Sequence, residues 1–245
     1  YPSVIRALNM GPESIVGQIR PVITSAEVNR AKFQKKSFAA AWDNQFGSWE
    51  YQAVMNKERG TEIIIDWSDN TSVKMSAAQL YDLVFESNNQ WMLSANGTIF
   101  TYEFEAIIPG LLKRWYAERQ EMQRKMNECG DNEIEREFWD KRQLVKKINL
   151  NSLYGAILNP GCRFFDLRIG QSVTLTGRCI TKHMGAKVNE VVTGNYDHRG
   201  EAVIYGDTDS VYFSAFKSLQ KEIASGKIPW QKENVIELYD KISTE

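Results

Sequence analysis

The sequence predicts an α+β fold from three observations. A strong 3.6-residue apolar period begins at Pro109. A second run of helical spacing passes through Val173, Ile180, Met184, Val188 and Val191. Two stretches of strand-like alternation, 201–205 and 210–215, flank Gly206-Asp207-Thr208-Asp209. Helices mixed with a mainly antiparallel sheet are one of the few layer architectures in which each element can bury an apolar face. A chain of 245 residues with 42% hydrophobic, 25% charged and 11% aromatic residues can build one or two domains, and collagen-like, coiled-coil and wholly disordered classes are excluded.

Taken in order, Pro2 suits the first turn of a helix and Gly11-Pro12 ends it, so a short helix is expected over 3–9. Between Arg20 and Ile108 the pattern is mixed: a strand at 62–67, a helix at 76–87, and an Asn96-Gly97 turn leading into 98–102. Nothing in that stretch points to chemistry. From Pro109 two long antiparallel helices are expected, over 109–128 and 133–153. Between them Cys129-Gly130-Asp131-Asn132 supplies a terminating glycine, followed by a capping box of Asn132 with Glu135. Asn159-Pro160-Gly161 is a loop, a third long helix covers about 170–193, and the alternating stretches form a hairpin with two carboxylates at its bend.

The chain opens on Tyr1, and its last segment, 235–245, is an amphipathic helix with no stop signal; both lead to the expectation of a piece cut from a longer protein. No apolar run approaches a membrane span and no basic-then-apolar leader opens the chain, so a soluble, intracellular protein is expected. Cys129, Cys162 and Cys179 are odd in number and form no C-x-x-C pair, which predicts buried free thiols rather than disulfides or a thiolate zinc site.

A net charge of −1 conceals an uneven distribution. Ten acids face three bases over 43–108, whereas nine bases face one acid over 141–189. The first stretch would repel phosphate and the second attract it. A basic tract is commonly just a solvated face, but this one includes Tyr154, Phe164 and Phe165 and runs up to Asp207 and Asp209. That arrangement suits a polyanion held beside metal ions.

Asp207 and Asp209 lie two apart, so in an extended chain they share a face, and magnesium takes such hard oxygen ligands. The bland reading is an Asx-type turn. On the second long helix Lys147, Asn151 and Tyr154 recur at i, i+4 and i+7, lining one stripe with a point charge, an amide and a ring. Asn151 and Gly155 are poor choices for a helix whose only task is stability. Arg114 and Arg119 on the preceding helix are both within reach of a phosphate bound by Lys147, and spacing does not choose between them. A guanidinium beside an ammonium is a common pairing at triphosphate sites.

Two segments, Lys147-Ile148-Asn149-Leu150-Asn151-Ser152-Leu153-Tyr154-Gly155 and Tyr205-Gly206-Asp207-Thr208-Asp209-Ser210, resemble the second and third polymerase motifs of family B DNA polymerases. Tyr1-Pro2-Ser3 resembles the end of the first, Asp-x-x-Ser-Leu-Tyr-Pro-Ser. The stretches Arg163-Phe164-Phe165-Asp166-Leu167-Arg168 and Ser94-Ala95-Asn96-Gly97 are similar to replicative polymerases of T-even-like bacteriophages. The resemblance covers 1–10 and most of 94–245.

It implies part of a right-hand polymerase: an antiparallel-sheet palm with an α-helical fingers hairpin. Residues 1–20 would be palm with the end of the first motif, 21–108 an acidic palm insertion or edge region, 109–156 the fingers, and 157–245 palm with the catalytic hairpin. The implied activity is template-directed DNA synthesis, transferring deoxynucleotides from dNTPs to a primer 3′-hydroxyl by two-metal phosphoryl transfer. Asp209 would ligate two magnesium ions and Asp207 tune their coordination; Arg119 and Lys147 would hold the triphosphate with Asn151 assisting. Tyr1 would sit under the deoxyribose and exclude a 2′-hydroxyl, and Tyr154 would probe the minor-groove side of the new pair. The implied partners are primer-template DNA, dNTP, and in the parent protein a sliding clamp and other replisome proteins, in the cytoplasm of an infected bacterium and with no membrane. The first motif's aspartate lies outside this chain, so the isolated chain is expected to be inactive. The rival expectation is a catalytically incomplete nucleic-acid-binding fragment, whose DNA affinity would fall with salt and need neither magnesium nor triphosphate.

Overall fold

Pro2 starts helix α1 (Pro2–Ala7) and Asn9, left-handed at φ 47°, turns the chain out of it towards the first strand. The structure, a computed structural model, describes residues 1–207, 210–229 and 231–244. They form two units, Tyr1–Thr176 and Gly177–Glu245.

In the first unit five strands, β1 (Ile15–Ile19), β2 (Glu62–Trp67), β3 (Ser72–Ser76), β4 (Trp91–Leu93) and β5 (Thr98–Thr101), make an antiparallel sheet in the order β3-β2-β1-β5-β4. The strand expected at 62–67 is β2; β1, β3 and β4 had no clear alternation. Ile15 and Ile19, four residues apart, should share a face, yet they enter different cores. The register shift against β5 between Ile15 and Gly17 accounts for this, since an irregularity there re-aims every later side chain. At the β4–β5 turn Gly97 has φ +85°, and a Cβ there would stand 3.0 Å from Ile19 Cβ, so the Asn96-Gly97 turn needs its glycine.

Between β1 and β2 lie three short helices, α2 (Ser25–Phe33), α3 (Ser37–Asn44) and α4 (Trp49–Met55). The helix expected at 76–87 is α5 (Ala77–Tyr81), capped by Ser76 and Gln79, and it continues as one π-helical turn, Asp82–Glu86. These elements bury Val54, Ile63, Ile65, Leu80 and Ile99 on one side of the sheet.

The other core gathers Ile5, Phe100, Leu112, Leu153 and Val173 from α1, the sheet and three long helices. They are α6 (Ile107–Glu128), α7 (Glu133–Ile157) and α8 (Leu167–Thr193). Each outruns its expected bounds for a local reason. Pro109 sits in the first turn of α6, where its missing N–H costs nothing. Buried Leu153 and Ile157 carry α7 through Gly155. Asp166 accepts a hydrogen bond from the Arg168 amide at 2.9 Å and so starts α8 early.

The second unit contains the end of α8, the hairpin β6 (Val203–Asp207) and β7 (Ser210–Phe213), α9 (Phe216–Ala224) and α10 (Lys232–Thr244). Asn189, 2% exposed, donates to the Asn195 carbonyl at 2.8 Å and accepts from the Ala202 amide at 3.2 Å, which anchors the hairpin to α8. Residues 201–202, expected in the strand, are a turn held by that anchor. Asp207 therefore ends β6, opposite Ser210, rather than lying in the bend.

The three cysteines are free but half-buried, not buried. Cys129 caps α6 where the hairpin turns at the surface. Among the described residues no helix is long and apolar enough to cross a membrane.

Leu112, fully buried between α1, α6 and α7, should cost about 2–5 kcal/mol when cut to alanine, read as a lower midpoint in urea denaturation followed by circular dichroism.

Candidate active site

Helices α6 and α7 pack antiparallel, and their side chains fix the register. Glu118 pairs with Lys146, the Lys146 ammonium lies 5.8 Å from the centre of the Trp115 ring, and Arg119 Nε donates to Gln143 Oε1 at 3.2 Å. Gln143 is one turn before Lys147, so Arg119 reaches the start of the Lys147–Asn151–Tyr154 stripe. Arg114 instead faces Glu118 at 3.9 Å on the solvent side. Spacing did not separate these two arginines; in the structure they differ in partner, a neutral amide for Arg119 and a carboxylate for Arg114. Among the described residues, neither Arg119 nor Lys147 has a carboxylate partner. Lys147 and Asn151 are exposed.

Tyr154 is half-buried against the α1–α6–α7 core, and its ring stacks on Tyr1 with centroids 4.4 Å apart and planes 19° from parallel. Residues 153 positions apart in the chain thus meet face to face. Burial, and after it the neighbouring Tyr1, push the Tyr154 phenol above its ordinary value; a hydrogen bond with Thr174 acts in the opposite direction. The cradle for Tyr1 is α1 itself. Tyr1 is its N-cap, and Ile5, one turn on, is buried, so that Tyr1 is held by the helix while the residue stays 41% exposed.

In the second unit Asp207 is exposed at the end of β6, and its carbonyl accepts from Ser210 Oγ at 3.2 Å. Asp209 lies outside the described residues. The Asp207 carboxylate is chemically suited to magnesium, and among the described residues no three His, Cys, Asp or Glu side chains group as a metal site. Thiol chemistry has no support: burial pushes Cys129 upward and Cys179 to about 11, away from thiolate character.

Sequence reasoning missed Gln143, Glu118 and Thr174. Each acts across helices or on a distant ring, and none belongs to a local pattern that would have singled it out.

A sequence profile of DNA polymerase family B matches residues 1–227. The chain belongs to DNA polymerase family B. It is 26% identical to the DNA-directed DNA polymerases of Escherichia phage RB69 and Enterobacteria phage T4, in each case over 90% of this chain and 24% of the relative. The T-even-like resemblance therefore extends through the acidic stretch as well as the motifs. A 109-residue part is 38% identical to the DNA polymerase delta catalytic subunit of Oryza sativa subsp. japonica, covering 44% of this chain and 10% of that protein. This family B chain spans about a quarter of the length of its phage relatives.

A raised Tyr154 value means the folded chain favours the neutral phenol. That contribution to stability is whole below the ordinary tyrosine value of 10.0 and is lost as pH rises through the folded one. Tyrosinate absorbance, taken as the unsubstituted chain minus Tyr154→Phe, should show Tyr154 titrating above ordinary tyrosine, and Tyr1→Phe should bring it down.

Proposed function

We propose that this chain is the palm and fingers part of a replicative DNA polymerase that extends a primer 3′-hydroxyl with deoxynucleotides copied from a template. The observation that carries this reading is the Tyr1–Tyr154 stack at the end of a stripe bearing Lys147 and Asn151, with Arg119 alongside. Family membership over residues 1–227 supports it. In this reading α6 and α7, over 109–156, are the fingers. Residues 1–20 and 157–245 belong to the palm, and 21–108 is an acidic elaboration of the palm.

Each side chain has a task matched to its chemistry. Arg119 offers a planar, bidentate donor and Lys147 a point charge, and among the described residues neither is paired with a carboxylate, so in this reading they neutralise a triphosphate. Asn151 adds a neutral donor one turn further on. Tyr1 closes the space below the sugar: a 2′-hydroxyl would meet the ring, and the stack on Tyr154 resists its displacement. Tyr154 presents its exposed edge to the minor-groove side of the new base pair. Asp207 and Asp209 would hold magnesium, which when bound neutralises phosphate charge and makes the primer hydroxyl a better nucleophile. The partners of this reading are primer-template DNA and dNTP, with a sliding clamp and other replisome proteins bound by the parent protein. The setting is the cytoplasm of an infected bacterium.

In the full-length polypeptide carrying this sequence, Lys147→Ala should reduce single-nucleotide incorporation by about 100-fold or more, as loss of one donor to a transferring phosphoryl group does. Asp209→Asn should abolish it, and DNA affinity by filter binding should change little in both. Near-normal incorporation by either variant would falsify that residue's role. Tyr1→Ala should raise the ratio of ribonucleotide to deoxyribonucleotide incorporation by at least tenfold, a loss of roughly 1.4 kcal/mol of discrimination. An unchanged ratio removes the steric role.

A further inference from the structure

Helix α6 has no cap of its own. Ala106 occupies the N-cap position and offers no side-chain oxygen to the free amides of the first turn. Two amides at this end, those of Ala106 and Ile107, are satisfied from elsewhere in the chain. Asn9 Oδ1 accepts from the Ala106 amide at 2.9 Å, and Glu13 Oε1 accepts from the Ile107 amide at 2.6 Å. The Asn9 amide group also donates to the carbonyls of Thr101 and Phe104 at 2.7 and 2.8 Å, and the residue is 4% exposed. A carboxylate at this end of a helix is further favoured by the helix dipole.

The consequence is geometrical. Asn9 and Glu13 follow directly on α1, the helix that Tyr1 caps. One segment therefore both presents Tyr1 and grips the base of the helix carrying Arg119. Arg119 is twelve residues along α6 from Ile107, roughly 18 Å, so a tilt of about 5° at the base moves its backbone by roughly 1.5 Å. Displacements of that size are enough to spoil alignment at a reacting phosphate.

We propose that Glu13 and Asn9 are positioning residues for nucleotide binding: they cap α6 from outside and set where Arg119 stands relative to Tyr1. The proposal rests on the reading of Arg119 as a triphosphate ligand. Neither residue touches the nucleotide in this scheme, and both act through α6.

The test is single-nucleotide incorporation by the full-length polypeptide carrying this sequence, measuring KM for dNTP, kcat, DNA affinity and Tm. Glu13 is exposed, so its variants keep the test open even if Asn9→Ala fails to fold. Glu13→Ala should raise KM for dNTP about fivefold, the size of a lost helix cap, with DNA affinity within about twofold of the unsubstituted enzyme. Glu13→Gln, whose amide oxygen still accepts from Ile107, should recover most of that loss. In an Arg119→Ala background, Glu13→Ala should add less than about twofold, because its effect passes through Arg119. An unchanged KM in Glu13→Ala, while Arg119→Ala raises it, overturns the positioning role and leaves the nucleotide site standing. A full additional loss in the double variant also overturns it, in favour of general stabilisation. An unchanged KM in Arg119→Ala overturns both readings.

Discussion

The site depends on one shared core. Ile5 of α1, Leu112 of α6, and Leu153 and Ile157 of α7 are buried together with Phe100 of the sheet and Val173 of α8. Burying Ile5 orients α1 and so directs Tyr1, one turn earlier. Burying Leu153 and Ile157 leaves Tyr154, between them in sequence, on the shoulder of the core, where Tyr1 meets it. Magnitudes decide which force governs this geometry. Each large apolar side chain contributes about 1.5–3 kcal/mol on burial, whereas a solvent-exposed ion pair contributes roughly 0–1 kcal/mol. The core sets the helix orientations, and the Glu118–Lys146 pair refines the register.

Charge is distributed along the α6–α7 hairpin to match. Near the turn Arg124 bonds both Glu121 and Glu128, and Lys141 bonds Glu137, so cations there are neutralised within their own helix. Towards the core, Arg119 bonds a neutral amide and Lys147 has no carboxylate partner among the described residues. The remote end stabilises helices through pairs one turn apart. At the near end Lys146 and Arg114 share Glu118, while Arg119 and Lys147 have no carboxylate partner among the described residues. The basic excess over 141–189 thus includes cations of both kinds, which a count of charges cannot tell apart.

Elements with a repeated local signal were legible. Both helices of the hairpin, the third long helix, β2 and the β6–β7 hairpin all showed in the spacing of their apolar residues; Asn132 caps α7 as expected, but Glu135 bonds the Asn132 side chain instead of its backbone amide, so only half of the expected capping box forms. Strand β1 was not legible, because Gly17 and Gln18 interrupt its alternation and an irregularity shifts its register. The short helices α2 to α4 were hidden by length: seven to nine residues hold too few turns for a period to stand out. The motif residues proposed for the site were singled out by residue type and resemblance. The Arg119–Gln143 bond, the outside capping of α6 and the Tyr1–Tyr154 stack were not legible, since each joins residues 24 to 153 positions apart.

By itself the sequence determined the fold class, the long helices and the family resemblance, because propensity, capping and apolar period act over a few residues at a time. The tertiary structure alone decided that Arg119 bonds Gln143 while Arg114 faces Glu118, that Tyr1 and Tyr154 stack, and that Asn9 and Glu13 close the end of a helix almost a hundred residues away. Those outcomes depend on how buried surfaces fit together, and packing joins residues without regard to their distance along the chain.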